Sequence, residues 1–426
     1  MRPRAPLIAV LAANAISLLG NVLAAVAIPW FVLVETGSAL QTGIAALFAS
    51  APLAIGAFFG GTVIDRVGPR QASAVGDLLS AASVAGIPLL HLLGVLELWH
   101  LFVLAFLGSL FDAPAAAARE AMLPELTRRA GLRTEQVTSA LTATEHGAYL
   151  LGAPAAGVLI ALVGAPALLW VDGASFALSA ALVTVAGGAG PLRERRAPSA
   201  YVREMVEGLR FIWREPAILT VMLAATAGAF FIDPLSPVLL PVYVADRFGE
   251  PAALGVALGA YGVGGLIGIG LFFLVARGMR RTTLYRLLWG AYAAVSFTLV
   301  ALPELPMLVP ALVLIGITVG AIDPLERAVR QERTPAELRG RVFAAMYAVP
   351  KVVVPLGVFS AGLLIEVIGL QGALLAFAIG NATIALVIAL IPAGRALETP
   401  GVHGEIPKEQ APDLGGRSHR CRYRNR

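Results

Sequence analysis

The chain is short of charge and has a single cysteine. Asp, Glu, Lys and Arg make up 14% of its 426 residues, against about a quarter in soluble domains. Because Cys421 is the one cysteine, an intrachain disulfide and a cysteine-ligated metal site are both excluded. The patterns His-Glu-x-x-His and Gly-x4-Gly-Lys-Ser/Thr are missing, and no aspartate pair has the spacing of an aspartyl protease. Zincin chemistry and ATP hydrolysis by the chain itself are therefore not expected. "GASFA" (173–177) approaches the nucleophile pattern Gly-x-Ser-x-Gly but ends in Ala177. No cofactor, metal or enzymatic activity is expected, and the net charge of +5 does not by itself indicate nucleic acid.

What is abundant is apolar sequence: 58% hydrophobic residues, mean hydropathy +0.80, 45 dispersed glycines and 28 prolines. Membrane helices tolerate glycine and proline better than soluble helices do. The N-terminal run continues to Val34, longer than a signal sequence needs, and reads as a first transmembrane helix. With about 20 apolar residues needed per crossing, the expected spans are 8–34, 41–63, 71–94, 99–118, 140–163, 166–188, 217–242, 252–276, 284–302, 307–323, 342–365 and 371–392. The segment "PLRERRAPSAYVREMVEGLRFIWRE" divides them six and six. That gives an all-α membrane protein of two six-helix bundles, 1–189 and 217–393, with a linker at 190–216 and a polar tail, expected to be disordered, at 394–426. With the N-terminus inside, 30 of 32 Lys and Arg fall on the cytoplasmic side, Arg247 and Lys351 being the exceptions. Both termini are thus expected in the cytoplasm. Trp30, Trp99 and Trp170 fall near outer span ends, where interfacial anchors belong. In the linker, Val202, Met205, Val206, Leu209, Ile212 and Trp213 recur at helical spacing opposite Arg203, Glu204, Glu207, Arg210 and Arg214. That pattern predicts an interfacial helix on the cytoplasmic leaflet, with a partner-binding helix as the alternative.

The two halves repeat. Asp112, Arg119 and Pro124 recur as Asp323, Arg330 and Pro335, 211 residues later. Arg66 and Arg70 map at the same offset onto Arg277 and Arg281, and Gly152, Gly157 and Gly164 map at 205 onto Gly357, Gly362 and Gly369. Parallel repeats joined by a polar linker suggest two bundles around a central substrate path.

Between spans 2 and 3 lies Gly61-Thr-Val-Ile-Asp65-Arg66-Val-Gly68-Pro69-Arg70. On these residues the chain resembles the major facilitator superfamily, whose loop signature is Gly-x-Leu-x-Asp-Arg-x-Gly-Arg-Arg/Lys; Val63 and Pro69 are departures. The resemblance covers residues 5–392. Gly68 and Pro69 suit a tight turn. The resemblance implies that Asp65, Arg66 and Arg70 latch the two halves on the cytoplasmic side. Stretches such as "FDAPAAAAREAMLPEL" (111–126) and "VDGASFALSAAL" (171–182) are similar to the drug-efflux branch that includes macrolide exporters. Span 5 carries Gly147, Gly152, Pro154 and Gly157, a degraded likeness of the antiporter motif Gly-Pro-x-x-Gly-Gly with Ala153 and Val158 in place of two glycines. Small residues there permit close helix approach.

Charges inside the membrane each need a reason. Asp233, in the proline-broken "FFIDPLSPVLLP", is the first candidate for proton coupling or for lining the path, followed by Asp112, Glu145 and Asp323. Candidate charge partners are Arg119, Arg330, His146, Lys351 and Asp77; Asp77 is expected to be structural and to meet Arg66 or Arg70. Asp112 and Arg119 are two helical turns apart, about 10 Å, which points to cross-bundle pairing (Asp112 with Arg330, Asp323 with Arg119). The function implied is a monomeric secondary transporter in the cell membrane, exporting amphipathic compounds against proton entry. Import or exchange of a small metabolite is the alternative.

Overall fold

The computed structural model describes residues 4–186, 198–275, 278–335 and 337–390; the tail and the start of the linker lie outside the described residues. Within the helices, the side chains of Asp65, Glu145 and His146, and the surroundings of Gly61, are likewise outside them. The described chain is helical, with no strand among the described residues. The first bundle comprises α1 (Ala5–Thr36), α2 (Ala39–Val67), α3 (Pro69–Leu92), α4 (Leu98–Ala130), α5 (Thr134–Val163) and α6 (Ala165–Ala186). After the linker helix α7 (Pro198–Arg214), a broken span runs through α8 (Pro216–Phe231), a 3-10 turn (Asp233–Leu235) and α9 (Leu239–Arg247). Then follow α10 (Pro251–Val275), α11 (Arg281–Val300), α12 (Leu305–Arg333) and α13 (Arg339–Leu390). Eight of these segments are long and apolar enough to cross a membrane. α13 is two spans joined end to end, since Gly369 has non-helical angles (φ 76, ψ 166). With α2, α5 and α11 the set reaches twelve.

The repeat is visible in the backbone. Gly164, which closes α5, has φ 81 and ψ 156, nearly the angles of its counterpart Gly369. A side chain at either would strain the left-handed conformation that redirects the chain there. Gly68 is the same kind of hinge: with φ 86 it ends α2 and begins α3, and Pro69 opens the new helix. The molecule has an arginine-rich end, carrying the α2–α3 and α4–α5 turns, and a far end opposite it.

The bundles meet chiefly through α2 with α13, α5 with α10, and α1 with α9. At the first seam a Cβ on Gly43 would lie 3.0 Å from the Cα of Gly362, and at the second a Cβ on Gly157 would lie 2.2 Å from the Cα of Gly255. Gly157 and Gly362 are repeat partners, so the pseudo-symmetry places one backbone-to-backbone contact on each side of the molecule. Both belong to the far half, where Ser38 Oγ also donates to Glu366 Oε2 at 3.4 Å. Within the second bundle, Gly264 and Gly268 of α10 interlock with Gly316 and Gly320 of α12; a Cβ on any of the four would come 2.1 Å from a carbonyl oxygen of the partner helix. Each pair is a Gly-x-x-x-Gly face, which lets membrane helices pack backbone to backbone.

Two sequence expectations change. Trp30 is 4% exposed and belongs to the core, because α1 is enclosed on most sides, whereas Trp99 and Trp170 remain exposed. The linker helix is not simply laid on a surface. Ile212 is fully buried in the second bundle's core, Gly208 approaches the carbonyl of Arg341, and Arg341 Nη1 donates to Glu207 Oε2 at 2.6 Å. Val206 and Trp213 stay exposed on the other side.

Candidate functional site

Polar side chains collect in the interior of each bundle. In the first, α1 contributes Asn14, Ser17 and Asn21, and α6 contributes Asp172, Ser175 and Ser179. Both sets have the spacing i, i+3, i+7, which lines one helix face. Between them sit Asp77 of α3 and Asp112 and Arg119 of α4. Arg119 is 2% exposed and Asp77 fully buried. Arg119 Nη1 donates to Asp77 Oδ1 at 2.6 Å, Nη2 to Ser17 Oγ at 3.2 Å and Nε to Asn14 Oδ1 at 3.4 Å. Ser179 Oγ donates to Asp77 Oδ2 at 2.7 Å, which completes that pair. Arg119 Nη2 also lies 3.6 Å from Asp112 Oδ1, while Asn21 Nδ2 donates to Asp112 Oδ2 at 2.9 Å. A guanidinium offers a planar fork of donors, which is what a buried cation between two acids requires.

The pairings differ from those the spacing suggested. Asp112 and Arg119 do meet along one helix, because helical side chains lean toward the N-terminus and the long arginine reaches back two turns. Arg119 spends its charge inside its own bundle. Asp77 is held by Arg119, not by Arg66 or Arg70; Arg70 donates to the carbonyl of Thr184, and Arg66 is exposed. The repeat partners behave differently. Asp323 is half exposed, bound by Arg327 at 2.8 Å, and 4.0 Å from Arg330. The position matching Asp77 is Leu288, so Arg330 has no buried acid on α11 to draw it inward. The buried acid of that region is Glu326, which accepts from the Tyr285 hydroxyl at 2.8 Å.

The second collection surrounds Asp233. Pro234 and Pro237 interrupt the helix there, leaving Asp233 at the start of the 3-10 turn. Its side chain is exposed although it sits partway along a span. Lys351 of α13 is the cation whose field acts on it, and Tyr261 and Tyr292 lie within the reach of its charge. Lys351 Nζ is 5.8 Å from the ring of the exposed Tyr347. One turn away, Phe230, Phe231 and Phe377 form an aromatic cluster with centroid separations of 4.8–6.5 Å. α9 packs against α1, so the far part of this broken span lies at the contact between the bundles, while the 3-10 turn itself packs on α8, α9 and α13.

Of the span-5 residues, Pro154 and Gly157 fall at the α5–α10 seam. Gly152 accommodates Val22 of α1; the carbonyl of Pro154 would be 2.9 Å from a Cβ on Gly255, and Gly147 has open space around it. The junction of Gly61, Asp65, Arg66, Gly68 and Arg70 is a one-residue turn at the arginine-rich end. Which partner Asp65 holds lies outside the described residues, as do the contacts of Glu145 and His146. Sequence reasoning passed over Asp172, Glu326, Tyr261 and Tyr292. The repeated i, i+3, i+7 polar spacing in α1 and α6 was the signal available for the first of these.

A family model, the Major Facilitator Superfamily, matches residues 10–349. The chain belongs to that superfamily. It is 35% identical over 402 residues to the "Multidrug efflux pump Tap" of Mycolicibacterium fortuitum, covering 93% of this chain and 98% of that protein. It is 24% identical over 373 residues to the "Macrolide efflux protein A" of Streptococcus pyogenes, covering 84% and 89%. Among solved structures, a bacterial homolog of the human lysosomal transporter Spinster superposes with a TM-score of 0.72 at 13% identity, over 92% of this chain and 98% of that one. A D-xylose-proton symporter does so with 0.71 at 13%, over 91% and 98%. These likenesses carry the fold of this major facilitator protein, and the superfamily makes it a multi-pass membrane transporter.

Proposed function

We propose that this major facilitator protein exports amphipathic small molecules by alternating access, driven by proton entry. The observation that carries the reading is Asp233, an exposed carboxylate at the break in a span, one helical turn from the aromatic pair Phe230 and Phe231. Such a site accepts an apolar body against the half-buried Phe230 and Phe231, which the buried Phe377 backs, while charge interactions orient it. The similarity to two efflux proteins over most of the chain supports the outward direction of transport. Orientation follows from the arginine count: the arginine-rich end faces the cytoplasm of a cell membrane, both termini with it. On that reading the glycine seams close the extracellular side, and the site is reached from inside. The energy source is the proton gradient, with no nucleotide bound, and one chain forms a complete path.

The test is efflux of an amphipathic fluorescent dye from cells producing the protein, with and without a protonophore. Protonophore-sensitive efflux that Asp233→Asn reduces at least tenfold is expected. Gradient-independent dye movement, or uptake in place of export, overturns the proposal.

A further inference from the structure

The first bundle's buried cluster holds more negative charge than it can neutralise. Asp77, Asp112 and Asp172 are 0%, 7% and 1% exposed, and Arg119 is the buried cation among them. Asp77 and Arg119 form a closed pair, with Ser179 on the second oxygen. Asp112 is half satisfied: Oδ2 takes the Asn21 amide, while Oδ1 is buried without a hydrogen bond, 3.6 Å from Arg119. Asp172 has no cation within ion-pair distance among the described residues. Its side chain takes one hydroxyl, from Ser175 at 3.3 Å, and that hydroxyl lies closer to Asp172's own carbonyl, at 2.8 Å. The backbone of α1 passes directly over the carboxylate, since a Cβ on Gly20 would lie 2.4 Å from Asp172 Oδ1. A buried carboxylate without a counter-ion is costly when charged and much less so when it carries a proton.

The groups are also staged in depth. At about 1.5 Å per residue, Asp172 lies about 10 Å inside the far end of α6 and Asp112 about 21 Å inside the far end of α4. Asp77 lies about 12 Å from the arginine-rich end of α3 by the same rise. We propose that this cluster is a proton-binding relay separate from the substrate path, in which Asp172 holds the proton and Asp112 is the next acceptor. The inference rests on the proton-driven export proposed above and assigns its proton to residues away from Asp233. Around Asp172, α1 presents only the neutral Asn14, Ser17 and Asn21, α3 presents Asp77, and α4 presents Asp112 and Arg119. On α5, Glu145 and His146 have side chains outside the described residues. Asp172 and Asp112 contact adjacent residues of α1, Gly20 and Asn21, so when the proton leaves Asp172 a second negative charge builds up beside Asp112, which is drawn toward Arg119 or takes up the proton itself. Both acids touch α1, Asp172 through Gly20 and Asp112 through Asn21, and α1 is the helix that packs on α9 of the second bundle. A change of charge here therefore acts on the contact between bundles.

The experiment uses the full-length protein in liposomes with ethidium as probe, comparing wild type with Asp172→Asn. Asn keeps the shape and hydrogen bonding of a protonated Asp but cannot release a proton. Counterflow of ethidium without a gradient should stay within about twofold of wild type, while accumulation driven by a pH gradient falls at least tenfold. If wild type accumulates ethidium under the gradient and Asp172→Asn does so equally, the relay is overturned and proton-driven export stands. If wild type exchanges ethidium but ignores the gradient, proton-driven export itself fails. A second readout does not depend on Asp172→Asn folding. Wild type with isotope-labelled aspartate should show the infrared C=O band of a protonated carboxyl at neutral pH, and Ser175→Ala should shift it. Absence of that band overturns the relay.

Discussion

Arg119 shows how one buried side chain fixes several others. Its guanidinium joins α4 to Asp77 of α3 and to Asn14 and Ser17 of α1, so removing Arg119 strands Asp77 in a medium that cannot solvate it, and removing Asp77 breaks the shortest ion pair and leaves Arg119 the longer contact to Asp112 at 3.6 Å. Breaking such a pair by removing one partner costs about 3–5 kcal/mol. Asp77→Asn and Arg119→Ala should therefore both lower the yield and the unfolding temperature of purified protein in detergent. Arg327→Ala, which removes only an exposed partner of Asp323, should cost under about 1 kcal/mol. Equal unfolding temperatures for Asp77→Asn and Arg327→Ala would contradict this account. Asp65 belongs at the same scale: Asp65→Asn keeps shape and loses charge, and is expected to slow transport severalfold more than it reduces folded protein in the membrane. Parent-like transport would leave the loop as a plain turn.

The helices divide their glycines between two tasks. Gly264, Gly268, Gly316 and Gly320 weld α10 to α12 inside one bundle, whereas Gly157 and Gly255, or Gly43 and Gly362, meet across the seam that alternating access must open. A bulky residue has different consequences in the two places. Gly316→Leu overpacks a permanent contact, at a cost of about 1–3 kcal/mol or more, and should lower the unfolding temperature. Gly157→Leu should leave folding nearly intact, because the seam can part, but hold the far end open and abolish export. Unfolding temperature and dye transport measured side by side separate them; a Gly157→Leu protein that transports normally would remove the seam from the cycle. Sequence spacing already showed Gly157 and Gly362 to be equivalent. That each meets a glycine of the opposite bundle came only from the packing.

At the scale of the whole molecule, two bundles joined by a clamped linker helix are built to rock against each other. Cysteines placed one at a time at Ser38, Glu97 and Glu304 in a chain lacking Cys421 should react with an impermeant reagent from outside, and one at Ser199 should not. Labelling of Ser199 in intact cells would reverse the orientation. The pair Ser38→Cys with Glu366→Cys replaces a direct inter-bundle hydrogen bond and should be bridged by a short bifunctional thiosulfonate, since a cysteine is shorter than the glutamate it replaces. Transport is expected to fall at least tenfold when the bridge forms and to recover on reduction. Undiminished transport by the bridged protein would mean that the far end does not open.

Hydropathy, the placement of arginine and the repeat offsets were enough to determine the class, the twelve spans and the two halves, because a bilayer constrains each helix separately and leaves its record in local sequence. The turn at Gly68 and the break at Asp233 were legible for the same reason: glycine and proline act on their own backbone. Partners were not legible. Whether Asp112 faces Arg119 or Arg330, whether Trp30 anchors at the interface or fills the core, and that Asp172 lies beneath Gly20 all depend on how helices rotate about their axes and lean on neighbours far away in sequence. Only the tertiary structure decided these, since a buried charge is stabilised by whatever reaches it in space, and arginine reaches two helical turns.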